Sequence, residues 1–312
     1  MRIFIIYVQH YDLKSQPILI HSTLIKTRLK TTKLSLKNKE NNQHIILYNR
    51  IPKTASETLN YLFHQQSHKK YYRMIHSNQY VSYNLSLNKQ YLFIKQIYTF
   101  NPPILYERHV YFVDFLHFNK QQPIYINMIR DPIKRTVSNY YYSRRMCLKK
   151  NRCTFIKNRT ILNYTLDDCI ETENEPFKCI TLEYGVTSAI PFFCGQNHLC
   201  SSNENLSWAV EKAKSNIDKY YTVVGLTENI EQLLFILEKL LPNYFRNISL
   251  VYIKKRRPHI NFSPRKWRKE LKPNTHLILK DLLKFEYDLY NYIKKRFHEQ
   301  YKQLQLINKI HE

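Results

Sequence analysis

Three short stretches of this chain carry residue types that can hold an anion. The first is YNRIPKTASETLNYL, residues 48–62. An apolar run turns sharply and enters a helix, a layout that presents unpaired backbone N–H groups and the positive end of a helix dipole to a phosphate or sulfate. Lys53 adds a full charge there, and Thr54, Ser56 and Thr58 add hydroxyl donors. A nucleotide-binding P-loop would read GxxxxGK[ST], but no glycine precedes Gly185, so the ATPase and kinase versions fail their own pattern. The same residues also fit an ordinary helix start after a proline turn, with a solvated lysine. The second stretch is PIYINMIRDPIKRTVSNYYYSRR, residues 123–145. Its apolar run stops at Arg130-Asp131-Pro132, and proline at the first helical position favours a helix from there. Ligands of open α/β sheets bind beyond the carboxyl ends of strands, where Arg130 falls, with Ser138 further along the helix in reach of the same anion. The alternative is a structural Arg130–Asp131 ion pair. The third stretch, residues 254–272, holds nine Lys/Arg and one Glu; its prolines argue for a basic loop rather than a helix.

The elements that must position these residues read as alternating strands and helices. Strands are expected at 44–49, 91–94, 110–115, 124–129 and 221–226, and helices at 132–145, 208–217, 228–241 and 275–304. In the third helix Ile230, Leu233, Leu234, Leu237, Leu240 and Leu241 share one face, which is core packing. The alternation predicts an α/β fold with a mostly parallel central sheet flanked by helices. Residues 1–43, rich in Lys, Thr, Asn and Gln without periodicity, read as a stem or poorly ordered arm before a domain at 44–304. Residues 148–205 read as a loop-rich insertion.

The chain carries 49 Lys+Arg against 24 Asp+Glu, a formal charge of +25, which attracts polyanions: nucleic acid, anionic membrane or acidic polysaccharide. Some of that excess is compositional bias in a chain rich in Lys, Asn, Ile and Tyr. No helix-turn-helix, zinc-finger or RNA-recognition signature is present, which argues against nucleic acid as the partner. All six cysteines lie between Cys147 and Cys200 with no CxxC pair, so disulfide staples fit better than a metal site. Six N-x-S/T sequons, at Asn84, Asn158, Asn163, Asn205, Asn247 and Asn261, point the same way, to the secretory pathway. The apolar run at residues 3–8 is too short for a membrane span and short even for a signal peptide.

Taken in order, the PKTAS loop, the IRDP…SNYYY strand–helix, LYERHVYFVDF at 105–115, IPFFCGQNHLC at 190–200, WAVEKAKSNI at 208–217 and YYTVVGLTENIEQLLFILEKLLPNYF at 220–245 resemble the glycosaminoglycan uronyl 2-O-sulfotransferases. These comprise heparan sulfate 2-O-sulfotransferases and the dermatan/chondroitin uronyl 2-sulfotransferases. The resemblance runs over roughly residues 45–300. It implies a P-loop-like sulfotransferase fold and a sulfonate donor, PAPS (3'-phosphoadenosine 5'-phosphosulfate), with no metal required. Arg50, Lys53, Thr54, Ala55, Ser56 and Glu57 would form the loop around the 5'-phosphosulfate. Lys53 would also offset charge on the departing bridging oxygen. Arg130 and Ser138 would meet the 3'-phosphate, and the basic loop near Lys254, Lys255, Arg256 and Arg257 would close over it. His109 aligns with the catalytic base, and a histidine near its ordinary pKa of about 6.5 suits proton removal from a sugar hydroxyl.

The resemblance further implies disulfides Cys169–Cys179 and Cys194–Cys200, with Cys147 and Cys153 left to each other without family support. It also implies homotrimers and a type II membrane protein of the Golgi lumen, with an acidic polysaccharide as acceptor. Two positions depart from the pattern. Glu107 stands where heparan-acting members have the first histidine of His-x-His, which leans the acceptor toward dermatan or chondroitin sulfate; as an anion beside an acidic acceptor it is unwelcome unless Arg108 offsets it. Glu57 stands where relatives have small hydroxyl residues, and opposes a phosphosulfate unless its side chain points away. These two acids keep open an inactive pseudo-sulfotransferase of the same fold, and the +25 charge keeps open a secreted, non-catalytic heparin or polyanion binder.

Overall fold

The computed structural model of the chain describes residues 45–69, 71–77, 79, 83–150, 153, 156, 159–254 and 270–310. The expected arm at 1–43, residues 255–269 of the basic loop, and Asn158 and Asn261 lie outside the described residues.

Five strands form one wholly parallel sheet in the order β2-β3-β1-β4-β5: β1 Ile45–Asn49, β2 Arg73–His76, β3 Ile104–Arg108, β4 Ile124–Ile129 and β5 Tyr221–Leu226. Strands buried on both faces favour apolar residues, and IILYN, ILYER and IYINMI are mostly apolar, with Asn49, Glu107, Arg108 and Asn127 as buried polar exceptions. The helices α1 Ser56–Ser67, α2 Leu87–Ile97, α3 Pro132–Lys150, α4 Leu166–Thr172, α5 Pro191–Cys194, α6 Leu206–Tyr220, α7 Ile230–Leu240, α8 Pro242–Phe245, α9 Ile248–Lys254, α10 Pro273–Leu282 and α11 Lys284–Ile310 complete the described fold. From β1 the chain winds outward to β2 and returns through β3. It then crosses to β4 and β5 on the other side, so the direction of winding reverses between β1 and β4. That crevice, at the carboxyl ends of the strands, is where the fold class seats ligands.

Three sequence expectations are corrected. Residues 91–94 belong to α2, whose Phe93, Ile94 and Ile97 are buried while Tyr91 and Leu92 face out; the helical period is invisible in a four-residue window. Residues 110–115 form no strand. The chain pairs at 104–108 instead, and the later run is held by side chains: Gln122 and Tyr125 bond the backbone of Val113, and Gln122 also accepts from the Phe115 N–H. The long C-terminal helix is two helices, broken at Leu283 between α10 and α11.

The main core wraps the sheet, and a second buried cluster joins α3, α4 and α10. Three disulfides close within this region: Cys147–Cys153, Cys169–Cys179 and Cys194–Cys200. The first two belong to the second cluster. Cys194 and Cys200 pack in the main core with Phe192 and Phe193, so the C-terminal part of the expected insertion is integral to the body. Of the sequon asparagines described, Asn84, Asn163 and Asn247 are exposed; Asn205 is half-buried and donates to the Ser202 hydroxyl.

Candidate active site

The site begins at the end of β1, which is fixed from below by a buried polar network. Asn49 donates to the Phe192 carbonyl at 2.7 Å, Asn127 donates to the Asn49 carbonyl at 2.7 Å, and the Tyr221 hydroxyl donates to Asn49 Oδ1 at 3.1 Å. Buried amides with all three strands as partners hold β1, β4 and β5 in a single arrangement.

Above that network the chain makes the Arg50–Ala55 loop without glycine. Lys53 and Ala55 both adopt left-handed backbone, at φ 68° and 56°, on either side of Thr54. Each such residue costs about 1–2 kcal/mol, so the turn is held by its surroundings. Thr54, fully buried, donates its hydroxyl to the Ile51 carbonyl. Any contact of Thr54 with an anion therefore runs through its backbone N–H. Thr227, just past β5, donates to the carbonyls of Thr54 and Ile129, tying the loop to the end of β4. Arg130 donates to the Lys53 carbonyl at 3.3 Å. Ala55 starts α1 with no side-chain cap, so the helix opens with its N–H groups toward the loop. Left-handed turns of this kind feeding a helix make an anion-binding concavity.

Lys53 Nζ lies 4.0 Å from the centre of the Tyr142 ring. Ser138, Tyr142 and Arg145 recur at helical spacing on α3, so one helix face meets the loop. Burial lowers the Lys53 pKa to about 8, with Arg130 and Arg145 pushing the same way and Glu57 opposing them. Burial likewise lowers Arg130. Asp131 is engaged elsewhere: Oδ1 accepts the Lys134 N–H at the start of α3, and Oδ2 accepts from Tyr287.

His109 directly follows β3, beside this loop. One residue holds both of its ring nitrogens. Nδ1 lies 2.8 Å from the Arg50 carbonyl, and Arg50 Nε donates to Nε2 at 3.1 Å. That pairing fixes the neutral tautomer with the proton on Nδ1 and the lone pair on Nε2. The pKa is not the ordinary one expected from the sequence. Burial, then the Arg50 charge, push it down to about 3, against the pull of the Arg50 carbonyl.

Arg50 is itself surrounded. Its NH2 lies 3.1 Å from Glu57 Oε1, and its Nε lies 3.1 Å from Glu107 Oε2. Glu107 Oε1 in turn meets His76 Nδ1 at 2.7 Å, across a pair in register between β2 and β3. Arg108 is buried and lies 5.1 Å from the centre of the Phe93 ring in the core. Arg50 and His76 each meet one Glu107 oxygen. Glu57, its side chain 80% exposed, spends one oxygen on Arg50.

The structure thus brings Arg50, Lys53, Thr54, Ala55, Ser56, Arg130 and His109 to one edge of the sheet, with Ser138 on the adjoining helix face. Sequence reasoning missed His76, Tyr142, Arg145 and Thr227. Only Thr227 left a signal, as the residue that ends an apolar strand opposite two others. Lys255, Arg256 and Arg257 fall outside the described residues; Lys254 is exposed at the end of α9.

Comparison with known proteins agrees with this architecture. The human uronyl 2-sulfotransferase is 32% identical over 258 residues, covering 81% of this chain and 62% of its own length. The mouse heparan sulfate 2-O-sulfotransferase 1 is 34% identical over 266 residues, covering 81% of this chain and 70% of its own. The chain therefore spans under two thirds of the length of the uronyl 2-sulfotransferase. Residues 40–293 match the Sulfotransferase family (Sulfotransfer_2), and the chain belongs to that family.

Proposed function

We propose that this protein transfers the sulfonate of PAPS to the 2-hydroxyl of a uronic acid in a glycosaminoglycan. The observation that carries the reading is the placement of a neutral histidine, His109, beside an anion-binding loop bearing Lys53 and flanked by Arg130. The donor's 5'-phosphosulfate sits on the Arg50–Ser56 loop and the N-terminus of α1. Its 3'-phosphate meets Arg130 and Ser138. His109 Nε2 takes the proton of the acceptor hydroxyl as that oxygen forms its bond to sulfur. The bond from sulfur to the bridging oxygen breaks, and its electron pair leaves on the 5'-phosphate, where Lys53 offsets the charge. As in phosphoryl transfer, most of the rate comes from positioning and charge, and no metal is needed for the step.

Glu107 leans the acceptor toward dermatan or chondroitin sulfate, the class in which the first histidine of His-x-His is absent. The three disulfides support a lumenal, oxidising setting such as the Golgi. The test is sulfate transfer from radiolabelled PAPS to dermatan, chondroitin and desulfated heparan, with Lys53→Ala and His109→Ala alongside. Transfer lost in both variants establishes the enzyme, and the preferred polymer fixes the class. Binding of all three polymers with no transfer to any would replace this reading with a polyanion binder or an inactive relative.

A further inference from the structure

His109 has a lone pair on Nε2, and that lone pair is occupied. Arg50 Nε donates to it at 3.1 Å while lying 3.1 Å from Glu107 Oε2, so the guanidinium is hydrogen-bonded to the base and ion-paired with the carboxylate, whose Oε2 accepts no hydrogen bond among the described residues. A hydroxyl cannot donate to Nε2 while the guanidinium covers it. The same guanidinium already reaches the first turn of α1 through its NH2 contact with Glu57, the place where the loop and helix present their N–H groups. A short swing about the Arg50 side chain therefore separates two arrangements. In one the guanidinium rests on Glu107 and His109; in the other it lies on an anion at the loop. Glu107 is well placed as the rest. Its side chain is 9% exposed, and its second oxygen is fixed at 2.7 Å by His76.

We propose that Glu107, braced by His76, is a positioning residue that competes with the sulfonate donor for Arg50, so that His109 Nε2 is covered while the guanidinium rests on Glu107 and uncovered when the donor's anion draws the guanidinium away. The inference rests on the reading of the loop as the donor site. It assigns a role to Glu107, one of the two acids that otherwise count against that reading. It also orders the reaction: the acceptor hydroxyl finds a usable base only after the donor is in place. No proton or covalent bond changes hands in the switch; one charge-assisted hydrogen bond is exchanged for another.

The test follows His109 directly. Histidine is labelled with 15N, the His109 signals are assigned with His109→Gln, and 3'-phosphoadenosine 5'-phosphate (PAP) is added at constant pH. The wild-type Nε2 signal should move toward that of an uncovered lone pair on PAP binding. In Arg50→Ala it should stand at the uncovered position already and barely respond. Glu107→Gln should bind PAP about 3- to 10-fold more tightly, since the carboxylate competing for a charge-assisted bond is gone. A merely structural Glu107 would give weaker or unchanged binding. A wild-type Nε2 signal that stays fixed while PAP binds in a Lys53-dependent way overturns the proposal and leaves the donor site standing. If PAP fails to bind the wild type at all, the donor-site reading falls first.

Discussion

Lys53 offers the sharpest quantitative test of the site. Burial, with Arg130 and Arg145 nearby, lowers its pKa to about 8. A phosphate dianion on the loop favours the protonated amine, so donor binding should take up a proton as pH rises. The sign follows: a lysine whose pKa is depressed loses its charge early, and anion affinity falls with pH instead of staying level. With a free-site pKa near 8, about 90% of Lys53 is charged at pH 7 and about 10% at pH 9. If the bound form stays protonated throughout, the apparent affinity drops about tenfold between those values, or ~1.4 kcal/mol. A lysine at its ordinary pKa would lose only about 3% of its charge by pH 9. The assay is titration calorimetry with PAP at pH 7, 8 and 9, repeated in buffers of different ionisation heat to count protons. Uptake of about half a proton is expected at pH 8. Lys53→Arg, whose charge does not titrate here, should flatten the profile. A wild-type affinity that is constant from pH 7 to 9, with no proton uptake, would refute the claim that Lys53 is a desolvated anion ligand.

Four further outcomes are expected. His109→Ala should lower transfer by about 10²- to 10⁴-fold while PAP still binds, as measured by initial rates and calorimetry. Arg135→Met should cost about 3–5 kcal/mol in urea unfolding, because Arg135 is fully buried with Glu286 and donates to the Thr187 carbonyl. Gly225→Ala should cost about 1–3 kcal/mol in the same assay; its Cβ would fall 2.4 Å from a Leu233 methyl at the β5–α7 contact. Replacing Cys194 and Cys200 by alanine together opens a bridge between residues six apart, and should cost about 2 kcal/mol of loop-closure entropy.

The parallel sheet was legible where its strands are buried on both faces and so read as nearly continuous apolar runs, as in residues 45–49 and 124–129. Legibility failed where burial comes from something other than regular pairing. Residues 110–115 have the composition of a strand, yet Gln122 and Tyr125 satisfy part of that backbone, and no pattern of apolar residues encodes a side-chain partner. The strand at Arg73–His76 has an exposed residue at each end, so it lacks the apolar signature of its neighbours. The same limit applies at the site. Lys53, Arg130 and His109 lie at strand ends, where spacing and resemblance could find them. His76 meets Glu107 only through the register of β2 on β3, a three-dimensional fact with no trace in the spacing of 31 residues.

That register changes how the two glutamates are understood. Read along the chain, Glu57 and Glu107 are anions intruding on an anion site. In the structure both are turned onto Arg50, which leaves Lys53 and Arg130 to meet the donor and makes Arg50 the element whose position can vary. The low basicity of His109 then has two separable causes. Burial persists through the reaction, since an acceptor covers the ring further. The Arg50 charge does not persist if the guanidinium moves to the donor, and each tenfold gain in proton affinity at Nε2 is worth about 1.4 kcal/mol toward taking the hydroxyl proton. A base that is weak while Arg50 covers it, and stronger once the donor has drawn the guanidinium away, ties the proton transfer to the presence of the group that must accept the oxygen.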